Sequence, residues 1–242
     1  MQIALFSDIH GNLEALQAVL AYLKENKIEK HICLGDIIGY GANPNECVEE
    51  VKALKCPVVV GNHDYVGIGQ GDITYFNTTA RNAILWTRSQ LKDENKEFLK
   101  ALPFTYQEDS FLVVHASPQS PEKWEYVLSL DSALINMHHF KEQICFIGHS
   151  HMPFFLQVDQ DGNGDIMRDN PLQIKEGFRY LVNVGSVGQP RDNNPKSAFV
   201  IYDTDAKTIT LKRVAYDIGK AQEKIIEAGL PFQLAQRLQS GH

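Results

Sequence analysis

Short apolar runs and helical repeats alternate along the first two-thirds of the chain, and their periods mark the elements. Ile3–Phe6 is a continuous apolar run that reads as a buried strand. From Asn12 to Glu25, Leu13, Leu16, Val19, Leu20 and Leu23 recur at helical spacing, with Asn12 as N-cap. His31–Leu34 predicts a second strand, Asn45–Leu54 a helix just after Pro44, and Val58–Val60 a third strand. Thr74–Leu102 reads as two helices parted near Lys92 and Asp93 and closed by Pro103. Phe111–Val114 and Ile144–Ile147 are further strands, with a helix through Ser132–Phe140 between them. Beyond His151 the pattern changes, and Phe154–Val158, Tyr180–Val184, Ser197–Tyr202 and Thr208–Val214 read as antiparallel strands joined by turns.

Mixed α/β followed by a β-rich tail predicts an α/β protein with two packed sheets and helices outside, because a lone parallel sheet would not end in so long a β segment. No repeat, low-complexity tract or linker interrupts the 242 residues, so 1–242 is expected to be one domain. Composition is that of an ordinary globular protein, 43% hydrophobic and 22% charged. No apolar stretch approaches the roughly 20 residues that cross a bilayer. The opening Met1–Phe6 is too short for a signal peptide, so a cytoplasmic location without a membrane partner is expected.

The net charge of −7 argues against a nucleic-acid polymer as partner, since that binding needs clustered Lys and Arg. A small phosphorylated substrate stays open, because bound cations reverse the local field. Cys33, Cys47, Cys56 and Cys145 form no CxxC pair, and Cys33 and Cys145 lie inside apolar runs as small buried hydrophobes.

The chemistry gathers where the strands stop. Ile3–Phe6 runs into Ser7-Asp8-Ile9-His10, Ile32–Leu34 into Gly35-Asp36, and Val58–Val60 into Gly61-Asn62-His63-Asp64. Phe111–Val114 ends in His115, and Ile144–Ile147 leads to Gly148-His149-Ser150-His151. Open α/β sheets place ligands at such carboxyl ends. Asp8 and His10, like His149 and His151, are two apart, so in extended backbone each pair points to one side. Glycines before Asp36, Asn62 and His149 let the chain turn and approach a bound ion. Of nine histidines five sit in these positions, a concentration that turn-forming alone does not explain.

These blocks, Asp8-Ile9-His10, Gly35-Asp36-Ile37-Ile38-Gly39, Gly61-Asn62-His63-Asp64, His115 and Gly148-His149-Ser150-His151, resemble in order the five blocks of the calcineurin-like metallophosphoesterases. The resemblance implies a four-layer α-β-β-α fold of two facing mixed β-sheets flanked by helices. It implies a metal-dependent phosphoesterase acting on a phosphate mono- or diester, a nucleotide among them, by attack of a metal-bridging hydroxide. Two divalent ions are implied, one held by Asp8, His10, Asp36 and His151, the other by Asp36, Asn62, His115 and His149, with Asp36 shared. Mn, Fe, Zn and Ni all suit such ligands, and the sequence does not choose among them. By the same resemblance His63 stabilises the phosphoryl group or protonates the leaving oxygen, while Asp64 orients its ring and favours the imidazolium.

One departure matters. Protein Ser/Thr phosphatases and dinucleoside-polyphosphate hydrolases of the family carry Asp-Arg-Gly where this chain has Gly39-Tyr40-Gly41, so the phosphate-gripping arginine is missing there. Arg191, in the Gly- and Pro-rich stretch from Gly185, is the replacement candidate, with Asn62, Tyr40 and Asn43 as further substrate contacts. A scaffold that kept the fold and lost catalysis would show eroded ligands, and none is eroded. Asp159–Asp165 reads as a hairpin turn in spite of its EF-hand-like spacing, and His138 and His139 as surface or packing residues. Leu85 and Trp86 are read as helix core, and Trp124 and Tyr126 as packing residues, with the lining of a cleft as their alternative role.

Overall fold

Alternate residues of the first strand leave it on opposite sides, and each side has its own core. In the computed structural model of the chain, which describes residues 1–108 and 110–242, Ile3 and Leu5 enter one buried cluster, and Ala4 and Phe6 enter another. In chain order the strands are β1 (Gln2–Phe6), β2 (Lys30–Cys33), β3 (Thr105–Glu108), β4 (Phe111–Val114), β5 (Ile144–Ile147) and β6 (Phe154–Val158). They continue with β7 (Gly164–Met167), β8 (Leu172–Gln173), β9 (Arg179–Asn183), β10 (Ser197–Asp203) and β11 (Thr208–Val214). The helices are α1 (Leu13–Glu25), α2 (Pro44–Ala53), α3 (Asn62–Gly67), α4 (Thr78–Gln90), α5 (Asp93–Lys100), α6 (Leu130–Asn136), α7 (Ile218–Glu227) and α8 (Phe232–Ser240).

One sheet has the order β2-β1-β10-β11-β8 and the other β3-β4-β5-β9-β6-β7. Leu5, Ile32, Val200, Phe111, Phe146 and Val182 fill the layer between them. Outside the first sheet, Leu16, Val19, Val48 and Val51 of α1 and α2 pack on Ala4, Phe6 and Phe199. Outside the second, Ala133 of α6 and the following Met137 pack on Val114, Cys145 and Leu181. Each large side chain so buried contributes about 1.5–3 kcal/mol. The four-layer arrangement expected from the sequence is therefore present.

Several expectations are corrected. Val58–Val60 does not form a ladder; Val58 makes one parallel bridge to Cys33, because the chain bends at once into α3. The β-rich tail ends in two helices, α7 and α8, which bury Ala221, Ile225, Leu234 and Leu238 against Ala80 and Ala83 of α4. Asp217 caps α7 by accepting from Lys220 N. Leu85 is 49% exposed on the outer face of α4, whereas Trp86 packs on that fourth cluster. The Asp159 loop is the turn between β6 and β7, its carboxylate taking the amides of Asp161 and Asn163.

The C-terminal helices are fastened to the rest. Lys224 Nζ reaches Glu14 Oε1 at 2.6 Å and Asn43 Oδ1 at 3.1 Å, and Asn193 N donates to Gly241 O at 2.8 Å.

Candidate metal centre

Parallel pairing sets the site. β1 runs parallel to β2, and β4, β5 and β9 run parallel to one another, so the loops after β1, β2, β4 and β5 leave at matching ends. The loops after β1 and β2 stay zipped beyond the ladder: Asp8 N donates to Gly35 O at 3.0 Å and His10 N to Asp36 O at 2.9 Å. The second sheet joins through His149 N, which donates to Asp8 Oδ2 at 3.0 Å. Gly148 permits that approach, since a Cβ there would lie 2.2 Å from Ser7 Oγ.

The expectation that Asp8/His10 and His149/His151 lie in extended backbone is wrong. Asp8 (φ 56°), His10 (φ 52°), Asp36 (φ 52°), His149 (φ 65°) and His151 (φ 60°) all adopt the left-handed region. Each costs local strain that the loop hydrogen bonds must hold, and such residues cluster at functional sites. Gly35 (φ 89°) makes the turn expected before Asp36, but Gly61 acts otherwise. Gly61 makes room for a neighbouring side chain, Asp36, whose Oδ1 would be 2.1 Å from a Cβ.

All seven candidate ligands, Asp8, His10, Asp36, Asn62, His115, His149 and His151, are buried, and their polar atoms converge. His10 Nδ1 donates to Ile38 O (3.2 Å), His115 Nδ1 to Leu34 O (2.7 Å) and His151 Nδ1 to Gln189 O (2.6 Å). All three rings turn Nε2 inward: in His10 and His151, held neutral by burial, it is a bare lone pair, while in His115 it keeps a proton facing Asp36 until a cation replaces it. His10 Nε2 and His151 Nε2 face each other at 3.0 Å, where two bare lone pairs repel and either a shared proton or a metal cation relieves the repulsion. His151 Nε2 is 3.3 Å from Asp8 Oδ1, and His115 Nε2 is 3.3 Å from Asp36 Oδ2. Asp8 Oδ1, Asn62 Oδ1, His115 Nε2 and His149 Nε2 are buried without a hydrogen-bond partner. Two groups within metal-binding reach result, Asp8-His10-His151 and Asp36-His115-His149, and Asp36 also groups with His10 and His63. Because Asp36 Oδ1 accepts His63 N (2.8 Å), Asp36 Oδ2 is the oxygen left to face both.

The titration behaviour fits a cation-seeking cluster. Burial pushes His10 and His151 down and His149 to about 3, keeping them neutral ligands. Burial also pushes His115 down, but Asp36 and Asp8 outweigh it and lift the ring to about 9. Burial raises Asp8 and Asp36, yet neighbouring histidines hold both carboxylates below the usual range.

His63 stands beside this cluster, its ring centroid 4.7 Å from His10, 4.4 Å from Tyr40 and 4.9 Å from Phe76. The expected pairing with Asp64 is absent. Asp64 spends its carboxylate on the amides of Ile37 (2.9 Å), Ile38 (3.1 Å) and Gly61 (3.1 Å), and His63 Nδ1 has no partner. Burial lowers His63 to about 4, so the free ring is neutral rather than imidazolium. Burial raises Asp64 to about 7. Asp64 is a clamp between the loops after β2 and before α3.

Arg191 and Tyr40 do turn toward the site. Arg191 Cζ lies 5.9 Å from the Tyr40 ring, and Tyr40 packs 4.6 Å from His10. Asn43 does not: it holds Lys224. Trp124 and Tyr126, read as packing residues, line a cavity of about 610 Å³ with Asn62, His63 and His149. Tyr126 is 51% exposed and stacks on His149 at 4.0 Å. A Trp and a Tyr flanked by Glu in a loop before a Ser-capped helix were the available signal.

Two sheets, a histidine-carboxylate cluster at their shared edge and an open cleft above it define a metallophosphoesterase. The chain belongs to the calcineurin-like phosphoesterase superfamily, whose domain matches residues 1–207. A protein of Methanocaldococcus jannaschii, named only as uncharacterized, is 45% identical over 240 residues, covering 98% of this chain and 96% of its own. The crystal structure of a metallophosphoesterase from Sphaerobacter thermophilus is 39% identical, with a TM-score of 0.87 over 100% of this chain and 99% of its own. A hypothetical protein from Pyrococcus horikoshii has the same fold at 22% identity, with a TM-score of 0.81 over 100% of this chain and 98% of its own. Membership implies phosphoester hydrolysis. Among the described residues no helix is long and apolar enough to cross a membrane.

Proposed function

We propose that this protein is a metal-dependent phosphoesterase of the cytoplasm that hydrolyses a mono- or diester of a small phosphorylated molecule. The observation that carries the reading is the set of imidazoles whose Nδ1 protons are committed to backbone carbonyls, which turns their Nε2 atoms onto two buried carboxylates. Asp8, His10, Asp36 and His151 would hold one cation, and Asp36, Asn62, His115 and His149 the other, with Asp36 common to both sets. The oxygen and nitrogen ligands, with no thiolate, suit Mn, Fe, Zn or Ni. Divalent cations there supply an acidified water and neutralise phosphoryl oxygens.

The chain's own groups do the rest. His63, at the cleft wall, holds a proton for the leaving oxygen; the negative charge of a bound phosphoryl group favours that proton, which Asp64 does not. Acid assistance of this kind contributes about 10²–10⁴-fold. Arg191 and Tyr40 position the phosphoryl group, with Asn62 at its edge. Tyr126 and Trp124 give the leaving group an aromatic wall, which suits a nucleoside or aryl ester. A cavity of about 610 Å³ suits a small molecule better than a protein loop.

The test is release of nitrophenolate from p-nitrophenyl phosphate and bis(p-nitrophenyl) phosphate by chelator-stripped protein resupplied with Mn²⁺. Turnover that appears only on resupply is expected. Metal-loaded protein inert on both esters and on a nucleotide panel would overturn the reading.

A further inference from the structure

The last helix brings a second guanidinium to the mouth of the site. Arg237 of α8 is half-buried, and its Nη1 donates to Gln189 Oε1 at 3.2 Å. The same oxygen accepts Arg191 Nη2 at 2.9 Å. Gln189 is 2% exposed, and its backbone carbonyl already takes His151 Nδ1, so it is a fixed post for both cations. Arg237 Nε donates at 2.7 Å to an oxygen of the carboxylate of His242, the last residue of the sequence, which meets part of its charge, while Arg191 Nε is buried without a partner. Among the described residues no side-chain carboxylate makes a salt bridge with either guanidinium. Two like charges gathered on one neutral oxygen repel, and a bound anion relieves that repulsion with charge-assisted hydrogen bonds.

The positions run outward in order. Arg191 lies against Tyr40, whose ring touches His10 and His63. Arg237 opens instead into an adjoining cavity of about 890 Å³ between α8 and the start of α4. Tyr40, Asn77 and Ala80 line both this cavity and the cleft over the metal ligands. The hydrogen bond from Asn193 N to Gly241 O ties α8 to the loop that carries Arg191, so the two cations keep their spacing. Arg237 also lies beyond residues 1–207, which the family domain matches.

We propose that Arg237, next to the Arg191 that positions the hydrolysed phosphoryl group, provides a second anion subsite, and that the substrate class is small molecules carrying a second phosphoryl group next to the one hydrolysed. The proposal rests on the phosphoesterase reading for which phosphoryl group is cleaved. The reaction itself is unchanged: water forms the new P–O bond, the ester P–O bond breaks, and the leaving oxygen takes the proton.

Non-hydrolysable probes separate the two ideas. Metal-loaded full-length protein is titrated calorimetrically with methylphosphonate and with methylenediphosphonate at fixed excess metal, with metal-only blanks subtracted. Wild type should bind the diphosphonate at least ten-fold tighter, and Arg237→Gln should cut that preference at least five-fold. Arg237→Lys, which keeps the charge and loses the fork, should fall between them and carries the test if the Gln variant fails to fold. Equal affinity for both probes in wild type, or an unchanged preference in the variants, overturns the subsite. Failure of the phosphoesterase reading would show separately, as absent nitrophenolate release.

Discussion

Gly61→Ala tests whether Asp36 must sit where it does. The backbone of Gly61 (φ −100°, ψ 166°) suits any residue, so the substitution adds no conformational strain and acts by sterics alone. The new methyl would lie 2.1 Å from Asp36 Oδ1 and 2.3 Å from Asp36 N, so both a side chain and a backbone must retreat. Retreat breaks the 2.8 Å bond from His63 N to Oδ1 and carries Oδ2 away from His10 and His115. Overpacking costs about 1–3 kcal/mol and a lost bond to a charged group about 1.5–3 kcal/mol, together about 2.5–6 kcal/mol and centred on about 4 kcal/mol. That is below the usual 5–15 kcal/mol of a folded domain, so the variant should still fold, with a lowered melting temperature. A shift of 1 Å at a reacting centre costs on the order of 10²-fold in rate, and metal retained after dialysis should fall with it. Thermal melting, elemental analysis and p-nitrophenyl phosphate turnover read the three effects. Gly219→Ala in α7, where a Cβ meets only Asp217 Oδ1 at 3.6 Å, is the control. A Gly61→Ala protein with wild-type metal content and turnover would refute the assignment of Asp36 to the centre.

Other outcomes are expected. His63→Ala should keep its metal and melting temperature while turnover drops about 10²–10⁴-fold, and metal loss instead would make His63 a ligand. Lys224→Ala leaves the nearly buried Glu14 only the longer contact from Lys220 Nζ at 3.6 Å and should destabilise by about 1–2 kcal/mol, read by urea denaturation with activity per folded molecule retained. Metal-stripped protein should melt lower as pH falls from 7 toward 5. Burial holds His10, His149 and His151 down and His63 to about 4, so the unfolded chain binds more protons below 6.5 and folding stability is lost on that side. Asp64, raised to about 7 by burial, opposes this with one proton, and His115, lifted to about 9, loses its contribution only as pH rises. Several degrees per pH unit are expected, and a flat melting curve would sink the account.

The candidate metal ligands were legible because all but Asn62 lie just beyond an apolar strand, and an apolar run of that kind is an element that periodicity reads well. Their backbone was not legible: nothing in Asp8-Ile9-His10 announces two left-handed residues, which only the zipped loops of two strands sustain. Asp64 misled because adjacency to His63 suggested a pair, whereas helix α3 turns its carboxylate back onto three amides. The helices α7 and α8 had local signals, a capping Asp217 and a closing Gly241, that the preceding run of strands overshadowed. Arg237 and Gln189 meet across 48 residues through tertiary packing, for which no spacing rule exists.

Neither sheet owns the centre. Asp8, His10 and Asp36 come from the loops of one, His115, His149 and His151 from those of the other. An ion seated there is a rivet through both plates, and prying it out loosens the whole molecule instead of one loop. Bound at a thousand times its dissociation constant, such an ion adds about 4 kcal/mol to global stability, so cellular metal supply would govern how long the protein survives as well as how fast it works.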